Sequence, residues 1–179
     1  MFFEKCKLQG CYLIKSDKFD DKRGSFTKTY HKNLFQEYDL DFLMKEQFFT
    51  VSAKDVLRGM HFQLPPYDHI KLVTCLTGCV LDVILDLRKS SKTFYQFETF
   101  KLSDDNAHIL YIPSGIAHGF LSLEPNSSML YSTSTVHEPK ADCGIHWNSF
   151  GFAWPCEHLI ISERDQQHPA LSDFRSPFE

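Results

Sequence analysis

Long apolar runs are missing from this sequence. No stretch of about 18 apolar residues occurs, so it offers no candidate transmembrane helix. The opening MFFEKCKLQG has no apolar segment of the kind an export signal needs, and the expectation is a soluble cytoplasmic protein. Positive charge is scarce as well. With 19 Lys and Arg against 23 Asp and Glu, the net charge of -4 supplies no field for a polyphosphate backbone, so nucleic acid is not expected as a partner. A small diphosphate is not excluded, because one or two Arg suffice to hold it. Regular cysteine spacing is absent too. The six Cys (6, 11, 75, 79, 143 and 156) are irregularly placed, and a chain of 179 residues buries enough surface without staples, which points to free thiols. There is no internal repeat, low-complexity tract or linker, and the expectation is one domain over residues 1–179.

Aromatic residues are abundant: 17 Phe and 7 Tyr favour packed strands. Turn signals recur at short intervals, among them Asp20 to Gly24, Pro65-Pro66, Thr77-Gly78, Lys89 to Ser91, Asp104 to Asn106, Pro113 to Gly115 and Glu124 to Asn126. Short β-branched and aromatic runs lie between them, the pattern of an all-β sandwich or barrel. The clearest strand runs from Cys79 to Leu87, with Leu81, Val83, Leu85 and Leu87 on one parity and Val80, Asp82, Ile84 and Asp86 on the other. Further strands are read at Phe94 to Leu102, His108 to Ile112, Phe120 to Leu123 and Met129 to Thr135. Only Leu34 to Leu43 has near-helical apolar spacing, and the polar segment from Glu157 is expected to add a short helix or an arm.

Polar residues inside apolar strands are the candidates for chemistry. VLRGMHFQ (Val56 to Gln63) carries Arg58 and His61, HIKLV carries Lys71, and MLYSTS carries Tyr131. His61 and Gln63 share a parity, with Gly59 beside them, so they point together. Arg58 has the opposite parity to His61. Either Gly59 marks a bulge or Arg58 serves a neighbouring copy across a dimer boundary, and the second is expected. Singly, a strand His or Tyr is more often structural than catalytic. A Lys between Ile70 and Leu72-Val73 is either a snorkelling edge residue or a buried cation in need of a partner. IPSGIAHGF (Ile112 to Phe120) presents His118, but the upstream half of a metal motif reads His61-x-Gln63 without a following Glu, so three His and a carboxylate cannot be assembled. A two-His site with Asp68 is the remaining metal alternative.

VLRGMHF, Lys71 ten residues after His61, IPSGIAHGF, the Leu130-Tyr131 pair, GIHWN (Gly144 to Asn148) and ISERDQQHPAL together resemble the dTDP-4-dehydrorhamnose 3,5-epimerase family, collinearly from about residue 10 to 173. The resemblance implies a cupin-type jelly-roll barrel with short peripheral helices, no metal and no cofactor, a homodimer, and a nucleotide-linked 4-keto-6-deoxyhexose as substrate. It implies His61 as general base, Asp165 as the carboxylate that orients it, Lys71 as the cation beside the ketone oxygen and Tyr131 as the acid on the opposite ring face. Arg23 and Arg58 correspond to diphosphate contacts, Gln63 and His118 to pocket-lining positions, and Phe26 and Gln47 complete the implied binding set. Lys28 stands where the family usually has Glu, and Phe48-Phe49-Thr50 where it usually has Asn-x-Ser, which keeps CDP-linked or other NDP-linked 4-keto sugars open as substrates; the alternative is an epimerase inverting a single centre, C3 or C5, of such a sugar. A metal-dependent cupin enzyme and a non-catalytic sugar-nucleotide binder are the other two.

Overall fold

The computed structural model describes all residues 1–179. In chain order the strands are β1 (Phe2–Lys5), β2 (Tyr12–Lys15), β3 (Lys18–Asp21), β4 (Gly24–Thr27), β5 (Glu46–Ser52), β6 (Val56–Gln63), β7 (Lys71–Thr77), β8 (Cys79–Asp86), β9 (Phe97–Ser103), β10 (His108–Ile112), β11 (Ile116–Ser122), β12 (Ser127–Thr133), β13 (Asp142–Gly144) and β14 (Ile160–Ile161). Helix α1 (Lys32–Glu37) precedes β5, and α2 (Glu163–Gln166) follows β14. One sheet has the order β1-β2-β10-β7-β12-β5. The other has β13-β6-β11-β8-β9, with β14 added in parallel beside β6, and β3-β4 forms a separate hairpin. The fold is all-β, a cupin-type barrel with short helices at its edge. No helix is long and apolar enough to cross a membrane.

Period-two alternation builds this barrel in layers, because each strand offers one set of side chains to each face. Val73, Cys75, Leu110, Met129 and Tyr131 from the first sheet meet Val80, Ile84, Leu102, Ile116 and Phe120 from the second in the space between them. The outer face of the second sheet is also buried. Leu57, Met60, Phe62, Val83, Leu85 and Leu121 pack against Ile145, Phe150, Trp154, Leu171 and Phe178 of the C-terminal segment. On the outer face of the first sheet, α1 and the residues after it lay Phe35, Leu40 and Phe42 over Phe3, Ile14, Leu72 and Ile109. Each such Leu, Ile or Phe contributes about 1.5–3 kcal/mol by leaving water.

Strand β8 is therefore covered on both faces, and its inward parity includes two fully buried carboxylates that must be paired. Asp86 accepts from Arg88, Ser91 and Thr93, and Asp82 lies 2.7 Å from His118 Nε2. The strand expected from Phe94 begins only at Phe97, since Tyr95 has φ 61 and belongs to a turn. The expected helical span Leu34 to Leu43 is shortened for a similar reason. His31 accepts from Leu34 N–H at the start, and the turn after Tyr38 places Asp39 at φ 54, ending α1 while Leu40 and Phe42 stay buried as irregular chain.

The decisive irregularity lies between β6 and β11. His118 pairs with His61 and Phe120 with Arg58, so two residues of β6, Gly59 and Met60, oppose the single Gly119. This is a β-bulge, and it resets the parity of β6: Leu57, Met60 and Phe62 go to the outer core while Arg58, His61 and Gln63 line the inner cavity. The cross-boundary reading of Arg58 is thereby corrected, because the extra residue turns its side chain to the face that His61 uses. Gly59 has φ 137, and a Cβ on Gly119 would fall 2.8 Å from Arg58 O and 3.0 Å from Gly59 Cα. Only glycine fits. Gly119→Ala is expected to cost about 1–3 kcal/mol in chemical denaturation, as overpacking against backbone does; unchanged stability would show that the bulge is not held this tightly.

Candidate active site

The barrel encloses a cavity of about 260 Å³ between its sheets. From β6 it receives Arg58, His61 and Gln63; from β7, Lys71; from β11, His118; and from β12, Tyr131. Residues not singled out from the sequence also line it. Glu46, Phe48 and Thr50 alternate along β5, and His69, Thr133, His137, Asp142 and Arg164 close the remaining walls.

His61 and Asp165 form its most tightly defined pair. Ser162 caps α2 by accepting from Asp165 N–H at 3.1 Å, which fixes the carboxylate at the start of that helix. One carboxylate oxygen, Oδ1, lies 2.7 Å from His61 Nε2, and the other accepts the backbone N–H of Gly59 at 3.0 Å. Asp165 thus grips both the imidazole and the bulge that turns it inward. Burial works to raise this carboxyl, but the neighbouring His168, the bond to His61 and the Gly59 N–H outweigh it and hold it far below the usual carboxylate range. For His61 burial dominates and lowers the pKa, with Asp165 opposing. His168 stands 3.7 Å from Asp165 Oδ1 and meets the His61 ring edge-to-face at 5.6 Å.

Lys71 spans the two sheets, donating from Nζ to the backbone carbonyl of His61 at 3.0 Å. Burial pulls its pKa down to about 8, against the attraction of Asp142 and Asp82. Tyr131 is buried on β12, its ring stacked on Phe48 at 4.9 Å and edge-on to His118 at 6.0 Å. Burial, then the nearby Asp82, push its phenol well above the ordinary value. Arg58 donates to Ser52 Oγ at 3.1 Å and to Val51 O at 3.3 Å, which holds its guanidinium at the cavity edge. Arg164 pairs with Asp142 at 2.8 Å on the same rim.

Three residues of the implied binding set lie outside this cavity. Arg23 and Phe26 belong to the β3-β4 hairpin, where the Arg23 side chain pairs with Asp21 and Phe26 is exposed. Gln47 has the opposite parity to Phe48 on β5 and donates from Nε2 to Ser132 Oγ at 2.9 Å. The signal that would have placed β5 correctly is the alternation Glu46-x-Phe48-x-Thr50 itself. The two-His metal alternative with Asp68 is not assembled: His61 and His118 each direct Nε2 to their own carboxylate, and Asp68 engages the Ser114 hydroxyl away from the cavity.

A family model described as dTDP-4-dehydrorhamnose 3,5-epimerase matches residues 5–173. The chain belongs to that family. A protein of this name from Methanothermobacter thermautotrophicus is 36% identical over 176 residues, covering 96% of this chain and 95% of its own. The crystal structure of dTDP-4-dehydrorhamnose 3,5-epimerase from Sulfolobus tokodaii superposes with a TM-score of 0.91 at 34% identity, covering 100% of both chains. The Legionella pneumophila dTDP-6-deoxy-D-glucose-3,5-epimerase, solved in complex with dTDP-4-keto-L-rhamnose, gives 0.92 at 28% identity, covering 97% of this chain and 94% of that one. The family's enzymes are sugar epimerases acting on a 4-keto-6-deoxy sugar nucleotide.

The Asp165 contact has a direct test. Asp165→Asn removes the charge that favours the imidazolium, so the NMR titration midpoint of His61 is expected to move further down. An unmoved midpoint would show that the carboxylate does not act on this ring.

Proposed function

We propose that this protein inverts both C3 and C5 of a dTDP-linked 4-keto-6-deoxyhexose by proton transfer between His61 and Tyr131. What carries the reading is that the carboxylate-bound imidazole of His61 and the buried phenol of Tyr131 enter one cavity from facing sheets. The ketone at C4 acidifies the hydrogens on C3 and C5, because either carbanion delocalises onto the C4 oxygen as an enolate. Inversion takes a proton from one ring face and returns one to the other, so a base and an acid must flank the ring.

With Nε2 turned to Asp165, His61 Nδ1 is the nitrogen left to accept the substrate proton. Its lowered pKa keeps it neutral and ready at neutral pH. The imidazolium formed during the step is balanced by Asp165. Lys71 holds the growing charge on the C4 oxygen, an effect that is large where water is excluded. Tyr131 is a weak acid, yet stronger than a carbanion's conjugate acid, and its raised pKa keeps the proton in place until it is needed. Arg58, with Arg164 on the same rim, supplies guanidinium groups for the diphosphate, so that binding of the unreactive nucleotide positions the sugar. The relatives named above are dTDP-sugar enzymes, which favours dTDP over the CDP-linked alternative.

The homodimer is part of the same proposal. Hairpin β3-β4 belongs to neither main sheet and exposes Phe19 and Phe26 beside Arg23. A second copy would cover these rings and bring Arg23 and Phe26 to a cavity that they do not reach in their own chain. Light scattering at micromolar concentration is expected to give the mass of two chains; a single-chain mass would remove this part of the reading.

Solvent-deuterium incorporation at C3 and C5 of a dTDP-4-keto-6-deoxyhexose, read by NMR, tests the reaction. His61→Ala is expected to slow exchange by roughly 10² to 10⁴-fold. Tyr131→Phe should reduce net inversion more than exchange, since it leaves the base intact. The pH profile follows from signs. His61 must be neutral, so activity climbs on a limb below pH ~6.5. Lys71 must be charged, so activity is lost as pH rises through about 8. No exchange with this substrate class would sink the proposal.

A further inference from the structure

His69 lies in the loop between β6 and β7, two residues before Lys71, and lines the same cavity. The ring is fixed from one side. Gln63 Oε1 accepts the backbone N–H of Glu138 at 2.7 Å, which orients the amide so that Nε2 faces Tyr67 O at 2.8 Å and His69 Nδ1 at 3.1 Å. An amide nitrogen only donates, so Nδ1 must accept. Thr135 Oγ1, 3.1 Å from the same Nδ1, already donates to Tyr67 O at 2.9 Å. A neutral imidazole that accepts at Nδ1 carries its proton on Nε2. Burial first, and then the charges of Lys71 and His137, hold the ring's pKa down at about 3, so it stays neutral at any working pH.

The far nitrogen is the unusual part. His69 Nε2 is buried and has no hydrogen-bond partner. A buried donor left unpaired is costly, and such exceptions in folded proteins mark strain, an absent ligand or a working group. Here the Gln63 amide, held by the Glu138 N–H and by Tyr67 O, selects the tautomer that leaves this donor free, in a residue that lines the same cavity as Lys71.

We propose that His69 Nε2–H is a hydrogen-bond donor to the sugar, sharing with Lys71 the oxygen that becomes negative when the ring enolises. The proposal rests on the epimerase reading above. A neutral donor at this place complements the lysine: Lys71 supplies charge but titrates, whereas His69 supplies a fixed dipole that does not.

The test uses the full-length protein and its His69→Phe and His69→Gln variants. His69→Phe is expected to lower deuterium exchange at saturating dTDP-4-keto-6-deoxyhexose by roughly 10² to 10³-fold, as loss of one preorganised donor to an oxyanion does. Its affinity for dTDP alone, read by calorimetry, should be unchanged, and the loss above pH 8 should be steeper than in the parent protein. His69→Gln, which keeps an N–H donor, should recover most of the rate. Wild-type exchange in His69→Phe, or a matching loss of dTDP affinity, would overturn the proposal. Should His69→Phe fail to fold, the ¹⁵N-labelled parent protein decides: the His69 Nε2–H resonance should move with the dTDP-sugar and not with dTDP, and equal response to both would overturn it. A parent protein that exchanges no proton would instead overturn the epimerase reading itself.

Discussion

The Asp165 carboxylate holds the site together. One oxygen bonds the His61 imidazole and the other bonds the Gly59 N–H, so a single group fixes both the ring and the backbone irregularity that turns the ring inward. Without the bulge, β6 would send Arg58 and His61 to opposite faces, and the cavity would lose one of them. The bulge in turn depends on two glycines in contact, Gly59 and Gly119, where no side chain fits. Geometry and electrostatics are therefore not separable here: the carboxylate that bonds the imidazole also pins the strand.

A second constraint is the dryness of the interior. Asp82, His118 and Tyr131 are buried within the barrel and Lys71 is half-buried at its mouth, where unpaired polar groups are costly. The chain answers by pairing Asp82 with His118 and by tying Lys71 to a backbone carbonyl. Burial depresses the Lys71 pKa and raises that of Tyr131, so the same exclusion of water moves the two groups in opposite directions.

Much of this was legible in the amino-acid order. The bounds of β10 match the sequence reading at both ends, and β8 differs by one residue, because turn signals bracket them: Thr77-Gly78 before β8, Asp104 to Asn106 before β10 and Pro113 to Gly115 after it. The shared face of His61 and Gln63 followed from parity alone, and the family resemblance supplied Asp165, which lies 104 residues from His61 along the chain. What stayed hidden was phase. A bulge is one extra residue with no compositional mark except Gly59, so Arg58 was assigned to the wrong side. Gln47 lies on the face of β5 opposite to Phe48, since in a strand one position is the opposite face, and so it does not enter its own chain's cavity. The environment of His69 was invisible because its tautomer is set by the Gln63 amide, itself oriented by the Glu138 N–H and Tyr67 O, and no local pattern announces that network.

The outer layer over the second sheet has an implication for how the molecule matures. Asp165 belongs to the same C-terminal segment that covers Leu57, Met60 and Phe62, and the chain reaches it after every strand of both sheets. An assembled barrel without that layer would have an imidazole but no carboxylate behind it, together with a bare apolar back. Sealing of the hydrophobic exterior and pairing of the imidazole are one docking event, so a half-finished molecule also lacks the contact that fixes its histidine.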